Sequence, residues 1–286
     1  MTALTAIKNG LNAVLRPLNV RIDSLTSKRR ERARIENVVR RGEFEDRQFP
    51  VASGFRSTMA SEIAASIESN SAVFSSWMDP QRNAVGFSFR NEYFESPDAE
   101  VLYTMIRRFA PARVIEIGSG SSTRIIRLAI LDGQLHTRLI SIDPAPRVDV
   151  NQVADAVITQ PVEALTPAEI ANQLQPSDVL FIDSSHELKI GGDVSFLYLK
   201  VLPLLKAGVV VHIHDIFYPF EYPRRWIVDN GWLWNEQYLV AAILLNNPTI
   251  EVLWAGHYLQ RTTPQLLPQF QNGTASSLWI RIGNSP

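Results

Sequence analysis

Residues 113–123 read RVIEIGSGSST, and the fold follows from where this stretch is divided. Val114, Ile115 and Ile117 make a short β-branched run that fits a buried strand. Gly118-Ser119-Gly120 breaks it, and Ser122 to Leu131 then carries apolar residues at helical spacing. A strand that passes through a glycine turn straight into a helix is the first half of a βαβ unit, whose second strand lies parallel to the first.

The same pattern repeats down the chain. RLISID (138–143), DAVITQ (155–160), DVLFID (178–183) and GVVVHIHD (208–215) are β-branched runs that end in polar residues or lead on from glycine. A second helical stretch, Asp193 to Leu205, stops at Gly208. Near-continuous apolar strands with helices between them predict a parallel sheet covered on both faces. Two later runs, IEVLWAG (250–256) and SLWIRI (277–282), are separated by loop sequence with no convincing crossover helix, and are expected to pair as an antiparallel closing hairpin. The fold class is therefore α/β, a Rossmann-like sheet of seven strands, mostly parallel.

Residues 1–95 read differently and are expected to form a mainly helical extension to a domain over 96–286. Leu4, Ile7, Leu11, Val14, Leu15 and Leu18 predict an amphipathic helix over Met1 to Leu18, packed on its own protein, with a membrane surface as the second reading. KRRERARIENVVRR (28–41) reads as a solvated helix, and a further helix is expected around Ser57 to Ser69. Residues 42–95 carry no assignable chemistry. With 286 residues and 45% hydrophobic content the chain can bury a sizeable core. A net charge of -1 gives no basic field, so nucleic acid is not an expected partner. The absence of cysteine excludes disulfides and thiolate metal sites. No apolar run approaches the roughly 20 residues that span a bilayer, and no secretory leader pattern is present, so a cytoplasmic protein is expected.

In an open parallel sheet, ligands bind at the carboxyl ends of the strands. Gly118 and Gly120 permit close approach of a ligand, and the helix that follows presents free N–H groups. The third glycine of the dinucleotide fingerprint is missing, since Thr123 stands in its place, which counts against a nicotinamide cofactor. Glu116 instead offers negative charge suited to a cofactor bearing an ammonium and a sulfonium. Asp143, at the end of the second strand, is placed to bind ribose hydroxyls.

VIEIGSGSST resembles the glycine-rich motif of the class I S-adenosylmethionine-dependent methyltransferases, and SIDP resembles their ribose-binding strand end. QPVEAL, with Glu163, is similar to the position that borders the adenine, and the resemblance runs from about Ala99 to Ile282. It implies S-adenosyl-L-methionine as cofactor, held by Glu116, Gly118, Ser119, Gly120, Asp143, Glu163 and Asp183. In that topology Asp183, His186, His214 and Asp215 are expected to converge beyond the methyl group as the catalytic set. The D-x-x-H of Asp183 and His186, followed by the 214–215 pair, resembles the magnesium-dependent O-methyltransferases of antibiotic sugars. That subset implies a divalent metal, Mg²⁺ or Mn²⁺, on Asp183, His214 and Asp215, and His186 as general base. The match is partial, because His214 stands where a carboxylate is expected.

His212, one pleat inside the fifth strand, is expected to be a core histidine bonded to a carbonyl. The aromatic stretch 217–240, with Glu221, Arg224 and Arg225, is expected to pack over the sheet end and to wall a substrate site. The implied reaction is methyl transfer to a hydroxyl of a small molecule, with a sugar or glycoconjugate as candidate acceptor and a homo-oligomer as candidate assembly. The rival readings are a catalytically silent cofactor-binding protein and an NAD(P)-dependent oxidoreductase.

Overall fold

The computed structural model describes residues 3–19, 25–55, 57–146, 149–266 and 273–284. By internal contacts the chain divides into Met1–Asp46 and Arg47–Pro286. The first unit holds helix α1 (Ala3–Leu15), a 3₁₀ turn (Arg16–Leu18) and helix α2 (Leu25–Arg40). Ile7, Leu11, Val14 and Leu18 are exposed, Val14 by 74%.

In the second unit the seven strands are β1 (Arg113–Ile117), β2 (Arg138–Ile142), β3 (Ala156–Ile158), β4 (Val179–Ile182), β5 (Val210–Ile213), β6 (Glu251–Ala255) and β7 (Leu278–Arg281). Their order is β3-β2-β1-β4-β5-β7-β6. β1 runs parallel to β2 and β4, with Ile115 opposite Ile140 and Leu180. β7 enters between β5 and β6 and is antiparallel to both, so the closing pair is present as expected. It is not a bare hairpin: helix α10 (Gly256–Thr262) stands between its strands, and its sequence GHYLQRT buries too little to announce itself.

Alternation along the strands sends side chains to two layers. Ile115, Ile140, Leu180 and Val211 face α7 (Pro167–Ala171), the helical stretch that begins with α8 (Asp193–Phe196) and continues through Leu197–Val201 and Leu202–Leu204, and α9 (Glu236–Asn246). Val114, Leu139, Val179 and Val210 face the other way, toward α3 (Ser57–Ser69), α5 (Asp98–Phe109) and α6 (Ser121–Asp132). Helix α5 was not expected from sequence, although its apolar residues recur at helical spacing, and every residue from Asp98 to Ile106 is buried, polar ones included.

The expected boundary at residue 95 falls inside this core. Trp77, after the short helix α4 (Ser71–Ser76), is 1% exposed, and its ring lies 4.9 Å from Phe74 and 5.4 Å from Tyr103 of α5. Among the described residues no helix is long and apolar enough to cross a membrane.

Candidate active site

The turn after β1 is built on one steric demand. Gly118 has φ +78°, and a Cβ there would sit 2.3 Å from the carbonyl oxygen of Asp183. The glycine thus lets the loop press against the end of β4, an approach no other residue permits without a shift. Gly120 is extended, at φ 173°, and nothing lies within 4 Å of the place its Cβ would take, so its contribution is open space.

Two carboxylates hold the loop. Asp143 Oδ2 accepts from the Ser119 N–H and hydroxyl, both at 2.8 Å, while Oδ1 accepts from the Ala145 N–H. Glu116 is fully buried and accepts from the hydroxyls of Ser122, Thr123 and Ser141 at 2.8, 2.8 and 2.6 Å. Burial outweighs these donors and pushes its pKa up to about 7. The sequence reading set Glu116 against an ammonium; the structure turns it inward. It also gives Thr123 a task where the third glycine is missing, since its hydroxyl accepts from the Gly120 N–H while donating to Glu116.

A cleft of about 370 Å³ opens beside the loop, with Ser119, Gly120 and Asp183 on one side and Ser88, Asn91 and Phe94 on the other. Arg124 secures that second wall by donating to the carbonyls of Val85 and Gly86 at 3.1 and 2.7 Å. Sequence reasoning assigned residues 42–95 no chemistry, and this wall is what it missed. Glu163 lies exposed on the 3₁₀ turn Val162–Ala164 that follows β3.

Asp183, His186, His214 and Asp215 converge at the ends of β4 and β5. His186 Nε2 lies 3.4 Å from Asp183 Oδ1 and 3.7 Å from Asp215 Oδ2. His214 Nδ1 lies 3.6 Å from Asp183 Oδ1 and 3.7 Å from Asp215 Oδ2. The other nitrogen of His214 faces Asp98, at 3.6 Å, and the Ser276 hydroxyl, at 3.3 Å, and its ring packs 4.5 Å from Phe94. Asp183, His186 and Asp215 each offer a ligand atom, all within 4.8 Å of one another, so among the described residues the set able to hold a cation contains His186 where the resemblance implies His214.

Charges in this cluster are strongly coupled. Burial disfavours protonated His186, but hydrogen bonds to Asp183 and Glu236 and the charges of Glu236 and Asp215 push its pKa up to about 10. Burial likewise opposes the charged form of His214, yet the neighbouring carboxylates hold its pKa well above the ordinary value. Desolvation acts against ionised Asp183, and the two imidazoles overcome it, holding the group well below the usual carboxylate range. For Asp215 desolvation prevails and raises the pKa.

His212 is the core histidine expected, fully buried and stacked 4.2 Å from Phe181. Its partner is the Ser277 hydroxyl at 3.0 Å, not a carbonyl, and burial drives its pKa well below the ordinary value. In the aromatic stretch, Trp232 stacks on Trp234 at 4.6 Å, and Trp234 lies 4.2 Å from the His186 ring. Arg224 and Arg225 lie exposed. Trp234 belongs to the aromatic stretch expected at the site, whereas Asp98 and Glu236 were missed from sequence, and neither stands in a motif that marks it.

A sequence profile of the methyltransferase domain family matches residues 115–216, from within β1 to just past Asp215. The match to that family is confined to these residues, which carry the glycine turn and the ends of β4 and β5. Among solved structures, the chain is similar to a methyltransferase from Podospora anserina with S-adenosylhomocysteine bound, at 16% identity, covering 82% of this chain and 100% of that one with a TM-score of 0.44. It is also similar to an O-methyltransferase from Bacillus cereus in complex with S-adenosylhomocysteine, at 12% identity, covering 87% of this chain and 100% of that one with a TM-score of 0.40. No curated protein sequence matches it.

Proposed function

We propose that the domain methylates a hydroxyl oxygen of a small molecule, with His186 as the general base. The observation that carries this reading is the position of the His186 imidazole, at the end of β4 between Asp183 and Asp215 and one strand from the glycine turn of β1. Methyl transfer from a sulfonium is an in-line displacement at carbon, so the protein's work is to hold donor and acceptor about 3 to 3.5 Å apart and to remove the hydroxyl proton. On this reading the turn at Gly118, Ser119 and Gly120, together with Asp143, holds the cofactor, and Glu163 borders its adenine. The open space over Gly120 fits that occupant. The stacked faces of Trp232 and Trp234 suit a sugar or another flat ring as acceptor.

The donor set of Asp183, Asp215 and His186 fits a divalent cation, and its imidazole nitrogen favours Mn²⁺ over Mg²⁺. Such an ion, when bound, supplies positive charge that lowers the pKa of an acceptor hydroxyl. His186 Nε2 cannot serve as ligand and base at once. Calorimetry with Mn²⁺ separates the two roles: with His186 as base, His186→Ala keeps the Mn²⁺ affinity within about twofold and loses turnover, whereas loss of both makes it a ligand.

The activity test measures S-adenosylhomocysteine formed from S-adenosylmethionine and a panel of sugar and phenolic hydroxyl compounds. Cofactor binding without product on any acceptor sinks the catalytic reading and favours a silent binding protein. Binding of NAD or NADP in place of S-adenosylmethionine sinks the cofactor assignment as well. With the His186 pKa pushed up to about 10, kcat/KM is expected to rise with pH from 7 toward 10, because the neutral imidazole accumulates in that direction. Added Mn²⁺ should shift the rise to lower pH, and a flat profile in both conditions removes His186 as the base.

A further inference from the structure

We infer that Glu236, at the first turn of α9, is a positioning residue for His186. It fixes which imidazole nitrogen meets the acceptor. The inference rests on the functional reading above for its catalytic meaning, but its geometry stands apart from it.

Glu236 has no exposed surface, and its carboxylate is filled by three donors. Oε1 accepts from the Ser184 hydroxyl at 2.9 Å and the Tyr198 hydroxyl at 2.7 Å, and Oε2 lies 2.8 Å from His186 Nδ1. A buried carboxylate has only acceptors to offer, so the imidazole must place a proton on Nδ1. That leaves Nε2 as the nitrogen toward Asp183 and Asp215.

The backbone of the same helix start holds the residue a second time. His186 has φ +59°, a left-handed conformation that a non-glycine residue rarely adopts. Its carbonyl accepts from the N–H groups of Asn235 at 3.0 Å and Glu236 at 3.2 Å, and Asn235 Oδ1 accepts from the Leu188 N–H at 2.6 Å. Trp234 then covers one face of the ring. Three consecutive residues thus seat His186 by ring, carbonyl and following loop. A carboxylate there for burial alone would need no contact with the histidine, and Tyr198 and Ser184 would satisfy it.

The test uses the full chain labelled with ¹⁵N-histidine. In the wild type we expect a hydrogen-bonded imidazole N–H resonance that is assigned to His186 by its absence from His186→Ala and to Nδ1 by its coupling pattern within the ring. It should be lost in Glu236→Gln, return in Glu236→Asp, and survive in Tyr198→Phe, which removes a partner of Glu236 without touching His186. Calorimetry with S-adenosylhomocysteine should give affinities within about twofold for all of these variants. On an acceptor that supports turnover, kcat should fall tenfold or more in Glu236→Gln, the range seen when the orienting partner of a functional histidine is removed, with KM for S-adenosylmethionine unchanged. A wild type with no protected Nδ1 proton overturns the inference and needs no variant to fold. Equal losses in Tyr198→Phe and Glu236→Gln also overturn it, by showing a packing role. Absence of turnover in the wild type counts against the functional reading alone, because the resonance still decides the positioning.

Discussion

The turn after β1 and the loop after β4 both bend sharply at the end of a buried strand, yet they meet the demand in opposite ways. At β1 the left-handed residue is Gly118, which adopts φ +78° without a Cβ penalty and fills its surroundings by having no side chain. At β4 the left-handed residue is His186, and at the neighbouring β5 it is Asp215, at φ +57°. Neither is glycine, and each conformation is sustained by contacts from elsewhere: α8 and α9 for the histidine loop, Ser276 for Asp215. The first turn is legible in its own residues, although Asp143 also holds it from the end of β2. The second is strained and depends on residues about 50 positions away, as expected where a side chain must be aimed rather than a space left open.

Four substitutions sharpen or break this contrast, in falling order of effect. Gly118→Ala should cost roughly 3 kcal/mol or more in thermal or denaturant unfolding, since its Cβ meets backbone at 2.3 Å and has no side chain to push aside. A loss below about 1 kcal/mol would show that the turn relaxes, and the claim of a steric demand would fail.

Glu116→Gln comes next and acts through pH. The folded pKa of about 7 lies above the ordinary 4.5, so the folded state binds the extra proton, and this group's contribution is full below pH 4.5 and lost as pH rises through 7. The shift corresponds to roughly 3 kcal/mol at pH 8. The glutamine variant, which cannot ionise, should therefore lose less stability than the wild type between pH 5 and pH 8. Parallel pH curves for the two proteins would show that Glu116 titrates alike in both states.

Asp193→Ala tests the opposite loop. Asp193 accepts from the Ser185 N–H and hydroxyl, both at 2.7 Å, and its loss should cost about 1 to 2 kcal/mol while lowering turnover and sparing S-adenosylhomocysteine affinity. If cofactor affinity falls as much as turnover, the two ends are not separable. Gly120→Ala should change unfolding by less than about 0.5 kcal/mol but weaken cofactor binding, because its methyl would project into space no protein atom fills. Unchanged affinity would mean that this space is not where the cofactor lies.

How far the sequence could be read follows the same division. The strands and α6 were legible because uninterrupted β-branched runs and glycine stops are local signals that survive burial. Helix α5 was not read, although its helical periodicity is strong; what the sequence could not show is that its polar residues Asp98, Glu100 and Thr104 are buried with the apolar ones. The convergence of Asp183, His186, His214 and Asp215 could be expected because strand ends in a parallel sheet gather at one edge. Their partners could not: Asp98 reaches His214 from a helix before β1, and Glu236 reaches His186 from a helix after β5.

The sequence by itself determined the α/β order, the glycine turn at Gly118 to Gly120 and the polar strand ends that face the ligand side, since each is written in neighbouring residues. Only the tertiary structure decided that Glu116 turns inward, that residues 80–94 wall the cleft, that His214 is held by Asp98 and that His186 is seated by Glu236. Those outcomes depend on which buried polar groups meet across the fold, and a buried carboxylate or imidazole takes its charge and direction from the partners packed against it.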